Sequence, residues 1–265
     1  MRDPFDLPEG HAGLSHADPT RRAQIQMHRP LPKRFYEKAT IGEDAQGYSI
    51  LLDGRPVKTP AKNMLAVPTK ALAEIICAEW SAQVEVIDPL SMPVTRLANT
   101  AIDGIAPDRQ PVFADILKFS ESDMLCYRAD APAELVERQA RDWDPVLEWA
   151  AKDLGAHFIL AAGVMPAEQP PEAVAALAAR LRQHDTALEL AALHTITTLT
   201  GSALLALAFA GRVIGVEEAW RLAHLEEDWT NEHWGADADA ELRRTKRYRE
   251  MQAAASTFEA LQPVA

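Results

Sequence analysis

Between Leu190 and Gly211 the chain carries no charged side chain, only His194, Thr195, Thr197, Thr198, Thr200, Ser202 and Gly201 among Leu, Ile, Ala and Phe. An uncharged run of about 20 residues is long enough to cross a bilayer, so it first decides whether this is a membrane protein. Only eight of the 22 positions are Leu, Ile or Phe, and the hydroxyls dilute the apolar character further. The flanks, Asp185 and Glu189 before and Arg212 after, offer no basic cluster or aromatic belt to fix an orientation. A helix apolar on every side also suits the centre of a water-soluble bundle, and that reading is favoured over a span. Thr186-Ala187-Leu188-Glu189 is an S/T-x-x-E capping box and Gly211 supplies the stop, predicting one buried helix over Thr186 to Gly211.

The following stretch, Val216 to Trp234, predicts a second helix, amphipathic and acidic. On a 100° wheel Val216, Ala219, Trp220, Leu222, Ala223, Leu225 and Trp229 share one arc. Glu217, Arg221, His224, Asp228, Asn231 and Glu232 lie opposite. Glu226 and Glu227 break the pattern by projecting within the apolar arc. A carboxylate there is hydrogen-bonded, neutral or turned toward a partner, unless the arc is narrower and both acids sit at its rim. From Val213 to Glu241 nine acids stand against Arg221 alone, with Trp220, Trp229 and Trp234 interleaved. A charge run is most simply a solvated face, but aromatics beside acids also build partner-binding surfaces. The candidates for partner binding are Glu226, Glu227, Trp229, Trp234, Asp237 and Asp239.

A chain of 265 residues can form one large domain or two ordinary ones, and 48% hydrophobic with 25% charged residues is a soluble globular composition. The net charge of -12 disfavours nucleic acid and anionic membrane surfaces while allowing a basic or amphipathic protein partner. Cys77 and Cys126 form no C-x-x-C and read as reduced structural thiols. No hydrophobic signal region opens the chain, and Asp3, Asp6, Glu9 and Asp18 are too acidic for a mitochondrial presequence. The expectation is a cytoplasmic monomer.

Residues 1–32 are rich in Pro and Gly without periodicity and predict a mobile tail. From Arg34 the pattern is that of short strands: RFYEKATI, a Gly42 to Gly47 turn, YSILLDGRPVKTP, then MLAVP. Asp53-Gly54 is a type I′ hairpin signal, because both central residues need positive φ. Thr69 caps a helix with Leu72, Ile75, Ile76 and Trp80 at helical spacing, and Trp80 is the aromatic that seals it onto the sheet. VTRLANTAIDGI gives a second short helix. After Pro107 the chain reads helical apart from extended pieces near Met124 to Tyr127 and Phe158 to Leu160. One helix carries Leu135, Gln139, Trp143 and Leu147 on one side, and Asp144-Pro145 predicts a break or kink within it. The expected fold is α+β in two domains: residues 33–106, small and β-rich with two helices, and residues 107–265, an all-helical bundle.

Enzyme signatures are missing: there is no G-x-S-x-G, P-loop, G-x-G-x-x-G after a strand, or H-E-x-x-H. His224-x-x-Glu227 offers at most two ligands on one helical turn, and His194 reads as a satisfied core histidine. No catalytic residue, metal or cofactor is assigned. The competing readings are a hydrolase using Glu226 and Glu227 as an acid–base pair and, third, a membrane-anchored accessory protein.

Several stretches are familiar in order and spacing: Arg34-Phe35-Tyr36, LDGRPVKTP from Leu52 to Pro60, Glu79-Trp80 and MPVTRLANTAID from Met92 to Asp103. Trp143-Asp144-Pro145, LALA from Leu205 to Ala208, and EEAW, LEED and WG between Glu217 and Gly235 complete the set. Together they resemble the F1-ATPase assembly chaperones, in particular the family that binds the free F1 alpha subunit, over residue 34 to the end. Gly201 stands where eukaryotic members often carry lysine, and Ala238 where the family usually has an acid, here flanked by Asp237 and Asp239. The resemblance implies a non-enzymatic factor that covers the alpha subunit's subunit-facing surface until the beta subunit replaces it.

Overall fold

The computed structural model describes residues 31–45, 47–162 and 167–263, so the tail expected over residues 1–32 lies almost wholly outside them. The fold class is α+β, and the described residues divide into two compact units between Asn99 and Thr100.

In the first unit β1 (Ala39–Asp44) and β2 (Gly47–Leu52) pair antiparallel, with Thr40 opposite Leu51 and Glu43 opposite Tyr48. Two short strands, β3 (Arg55–Pro56) and β4 (Ala66–Val67), also pair with β2. The expected Gly42 to Gly47 turn is shorter than that spacing implied, since β1 runs on through Gly42 to Asp44. Gly47 carries the reversal at φ +123, where a Cβ would meet the Val67 carbonyl oxygen at 2.6 Å. Asp53 and Gly54 take φ +48 and +78 between β2 and β3. The Asp53 carboxylate accepts from the Lys38 and Glu37 amides at 2.9 and 3.1 Å, which holds its pKa below the usual range.

Helix α1 (Lys70–Ser81) starts at Thr69, whose hydroxyl accepts from the Leu72 amide, and buries Leu72, Ala73, Ile76 and Trp80 against β1 and β2. Trp80 is fully buried, and the Tyr36 hydroxyl donates to its carbonyl at 2.6 Å. Glu79 accepts from the amides of Val94 and Thr95 at 2.8 and 2.7 Å, satisfying the first turn of α2 (Pro93–Thr100). Burial raises the Glu79 pKa against those hydrogen bonds. Glu79-Trp80 thus fastens two helices and the sheet within this unit.

The second unit begins with a π-helical turn, Ala101–Ile105, and α3 (Gln110–Glu121). Helix α4 (Ala133–Trp149) continues through Pro145, so of the expected break or kink the break does not occur. Pro145 lies on the exposed side, where the carbonyl it leaves unbonded can turn to water, while Leu135, Gln139, Trp143 and Val146 are buried. The extended pieces lie slightly later than expected: Met124–Cys126 is a 3-10 turn, and β5 (Tyr127–Arg128) pairs in parallel with β6 (Ala161–Ala162). Helix α5 (Pro171–Leu181) follows.

The uncharged run is two helices, not one. Helix α6 (Ala187–Thr200) opens with the capping box on Thr186 and Glu189 and ends at Gly201, φ +72. Ser202 starts α7 (Ala203–Ala210) by accepting from the Leu205 amide, and all eight residues of α7 are buried. Gly-Ser at this point is a C-cap followed by an N-cap, which turns the chain at the cost of no free backbone group. Asp123, fully buried, reinforces the turn: its carboxylate accepts from the Leu204 and Leu125 amides at 3.0 and 3.2 Å. Burial pushes its pKa up to about 6. His194 is not a core histidine; it is half-buried on α6, with Nε2 2.7 Å from Asp115 Oδ2 on α3. Among the described residues no helix is long and apolar enough to cross a membrane.

Candidate partner-binding site

The helix predicted over Val216 to Trp234 is also two, α8 (Val216–Ala223) and α9 (Leu225–Trp234), joined at His224 with φ -111 and ψ 18. His224, placed on the polar side by the straight wheel, is instead buried. Its Nδ1 donates to the Trp220 carbonyl at 2.8 Å, its ring lies 3.9 Å from that of Trp220, and burial lowers its pKa. The break also removes the continuous arc on which Glu226 and Glu227 seemed buried. Glu226 is exposed and Glu227 half-buried, because a wheel drawn through His224 assigns α9 the wrong phase.

Only Leu225 of α9 is buried, so polar bonds hold this helix in place. Glu226 accepts from Gln139 Nε2 on α4 at 2.6 Å, and Gln139 Oε1 in turn accepts from the Ala129 amide at 2.9 Å. Glu232 receives both terminal nitrogens of Arg138 at 2.6 and 3.0 Å, which holds its pKa down. Asp228 pairs with Arg244 on α10 (Ala238–Leu261), and that carboxylate raises the Arg244 pKa. Asp237 caps α10, accepting from the amides of Asp239 and Ala240 at 3.2 and 3.3 Å. Glu218 and Asp142 share Arg221 at 2.7 and 2.9 Å.

Five of the nine acids therefore have partners inside the chain. Two of these pairs, Glu232 with Arg138 and Asp228 with Arg244, bring in arginines from outside the segment and offset part of the crowding that suggested an outside cation. Glu227 and Asp239 form no hydrogen bond or ion pair through their carboxylates among the described residues. Beside them is a cluster of rings: Trp229 stacks on His233 at 4.1 Å and meets Trp234 edge-on at 5.3 Å. Trp234 is 71% exposed. Gly235, φ +87, then turns the chain into α10, whose first half is exposed and whose second half packs Met251, Ala254 and Phe258 inward. The structure thus brings Glu226, Glu227, Trp229 and Trp234 together on α9, with Asp237 and Asp239 at the adjoining helix start.

The sequence reading missed Arg138, Gln139 and Arg244. The signal available was Gln139, an amide on the apolar side of α4 that could be buried only with partners. Among the described residues no group of three or more His, Cys, Asp or Glu is placed to hold a metal ion.

The two-unit α+β architecture is that of a chaperone class with solved structures. The crystal structure of Atu1473 from Agrobacterium tumefaciens, a candidate chaperone, matches with TM-score 0.86 and 57% identity, covering 94% of each chain. Atp12 from Paracoccus denitrificans matches with TM-score 0.82 and 39% identity, over 87% of this chain and 99% of that one. The mitochondrial protein atp12 of Schizosaccharomyces pombe is 24% identical over 234 residues, 83% of this chain and 79% of its own. The profile of the family described as ATP12 chaperone protein matches residues 33–151. The chain belongs to the ATP12 chaperone family, the F1-ATPase assembly chaperones that its motifs resemble.

Proposed function

We propose that this chaperone captures the free alpha subunit of F1 through the face formed by α9 and the start of α10, and yields it when the beta subunit docks. The observation that carries the reading is the pairing of an exposed ring cluster, with Trp234 71% exposed, and two carboxylates, Glu227 and Asp239, that form no hydrogen bond or ion pair among the described residues. An unassembled ring subunit exposes apolar interface prone to aggregation, and tryptophans are the side chains that anchor such contacts. Release needs no nucleotide if the chaperone complex is weaker than the final assembly.

Co-purification of the tagged chaperone with separately expressed alpha and beta subunits tests this. Alpha alone should be retained, and added beta should displace it. Glu227→Lys with Asp239→Lys should weaken capture by roughly 1–3 kcal/mol at unchanged melting temperature. Retention of neither subunit, or of beta in place of alpha, would overturn the proposal.

A further inference from the structure

The first unit carries a two-stranded ribbon outside its sheet. Lys33 bridges Val86 in antiparallel sense, the Arg34 amide donates to the Glu85 carbonyl at 2.9 Å, and the Ile87 amide donates to that of Pro32 at 2.8 Å. Residues at alternate positions share a face: Tyr36, Gln83 and Ile87 are buried on one, with Arg34 half-buried and Glu85 exposed at the bend between them. The opposite face should be polar if water covered it. It carries instead Leu31, Phe35, Val84 and Val86, with Phe35 53% and Val84 78% exposed.

The hydrogen bonding of the ribbon says what shape of partner fits it. In an antiparallel pair the residues flanking a bonded position aim their own amide and carbonyl away from the partner strand. Lys33 and Phe35 are in that position, and their backbone groups have no hydrogen bond among the described residues. Among the described residues no strand pairs with this edge, which offers its backbone groups to one more strand. The Lys33 ammonium, between Leu31 and Phe35 on the same face, has no carboxylate partner among the described residues.

We propose that this edge binds an extended segment of an unassembled client chain as an added strand. That strand would place apolar side chains at alternate positions over Phe35 and Val84, and a carboxylate in register with Lys33. This edge belongs to the first unit and α9 to the second, and the proposal rests on the chaperone reading only for the identity of its natural client.

Amide hydrogen exchange on the full chain decides it, with two probes measured separately: free F1 alpha subunit, and reduced carboxymethylated lactalbumin as an extended acidic chain. Exchange at the Lys33 and Phe35 amides should slow at least about tenfold with either probe. Phe35→Glu with Val84→Glu removes the apolar face, and Lys33→Pro removes one outward amide and the cation. Each should weaken capture about tenfold while circular dichroism and Tm stay at wild-type values. If alpha is not captured but lactalbumin protects both amides, the alpha-subunit reading fails and the strand site stands. Capture of alpha with both amides unprotected overturns the strand site alone, as does lack of protection by either probe. Should a variant misfold, exchange in the wild-type chain still decides. Protection that grows with chaperone concentration alone would assign the edge to a second copy. A change on removing residues 1–30 would assign it to the chain's own N-terminus. Either result overturns a client strand.

Discussion

A buried indole and a buried carboxylate set the sharpest expectations at single residues. Trp80 is fully buried between α1 and the sheet, so Trp80→Arg places an unpaired cation there at a cost of several kcal/mol. Urea denaturation should show the first unit unfolded, and a wild-type midpoint would refute the placement. Asp123 behaves differently because its pKa is raised, from 3.8 to about 6. Its folded form holds a proton that the unfolded chain releases between those values, so its contribution to stability falls as pH rises from 4 to 6. The shift corresponds to about 3 kcal/mol, fully lost above pH 6. Asp123→Asn cannot titrate, so the stability of wild type minus variant should fall across that window. A flat difference would show the carboxylate ionised throughout. The buried Trp80 was legible from helical spacing, whereas the burial of Asp123 was not: its local partner is the Leu125 amide, and the Leu204 amide it also caps is 81 positions away.

At the scale of elements, caps and tight turns were the signals most reliably read from nearby residues, whereas the periodicity of Val216 to Trp234 hid the break at His224. The hairpins, the Thr69 cap and the Thr186 capping box all follow from nearby residues. The break at Gly201-Ser202 was hidden because α6 and α7 are apolar on nearly every side and show no period that a turn could interrupt. Gly201→Ala, forced to φ +72, and Ser202→Ala, deprived of its cap, should each cost about 1 kcal/mol by thermal denaturation. Equal stability in both variants would return the run to a single helix. At Pro145 the helix runs on where a break was one of the two expected outcomes, with Trp143 and Val146 buried on either side of it. Helix α9 was beyond local reading, because Gln139, Arg138 and Arg244 reach it from elsewhere. Gln139→Leu leaves the Ala129 amide and Glu226 without their partner and should cost about 1–3 kcal/mol. Faster amide exchange confined to α9 and the Ala129 loop is the expected signature.

The whole molecule carries a formal charge of -12, and its acids concentrate between Val213 and Glu241. Because Arg138, Arg221 and Arg244 neutralise several of them internally, the outward field of that segment depends on the few carboxylates left free. Long-range attraction to a basic client patch acts on the rate of encounter more than on the final affinity. Under the proposed function, association with the alpha subunit should slow as ionic strength rises, because the Debye length shrinks from about 10 Å at 0.1 M salt to about 3 Å at 1 M. Dissociation, governed by the Trp229 and Trp234 contacts, should change little over the same range. Glu227→Lys with Asp239→Lys should flatten the salt dependence of the association rate, whereas Trp234→Ala should leave that slope intact and speed release. Stopped-flow association and dissociation rates across a salt series separate these two outcomes. A wild-type association rate independent of salt would place the free carboxylates outside the capture step, whatever the tryptophans do.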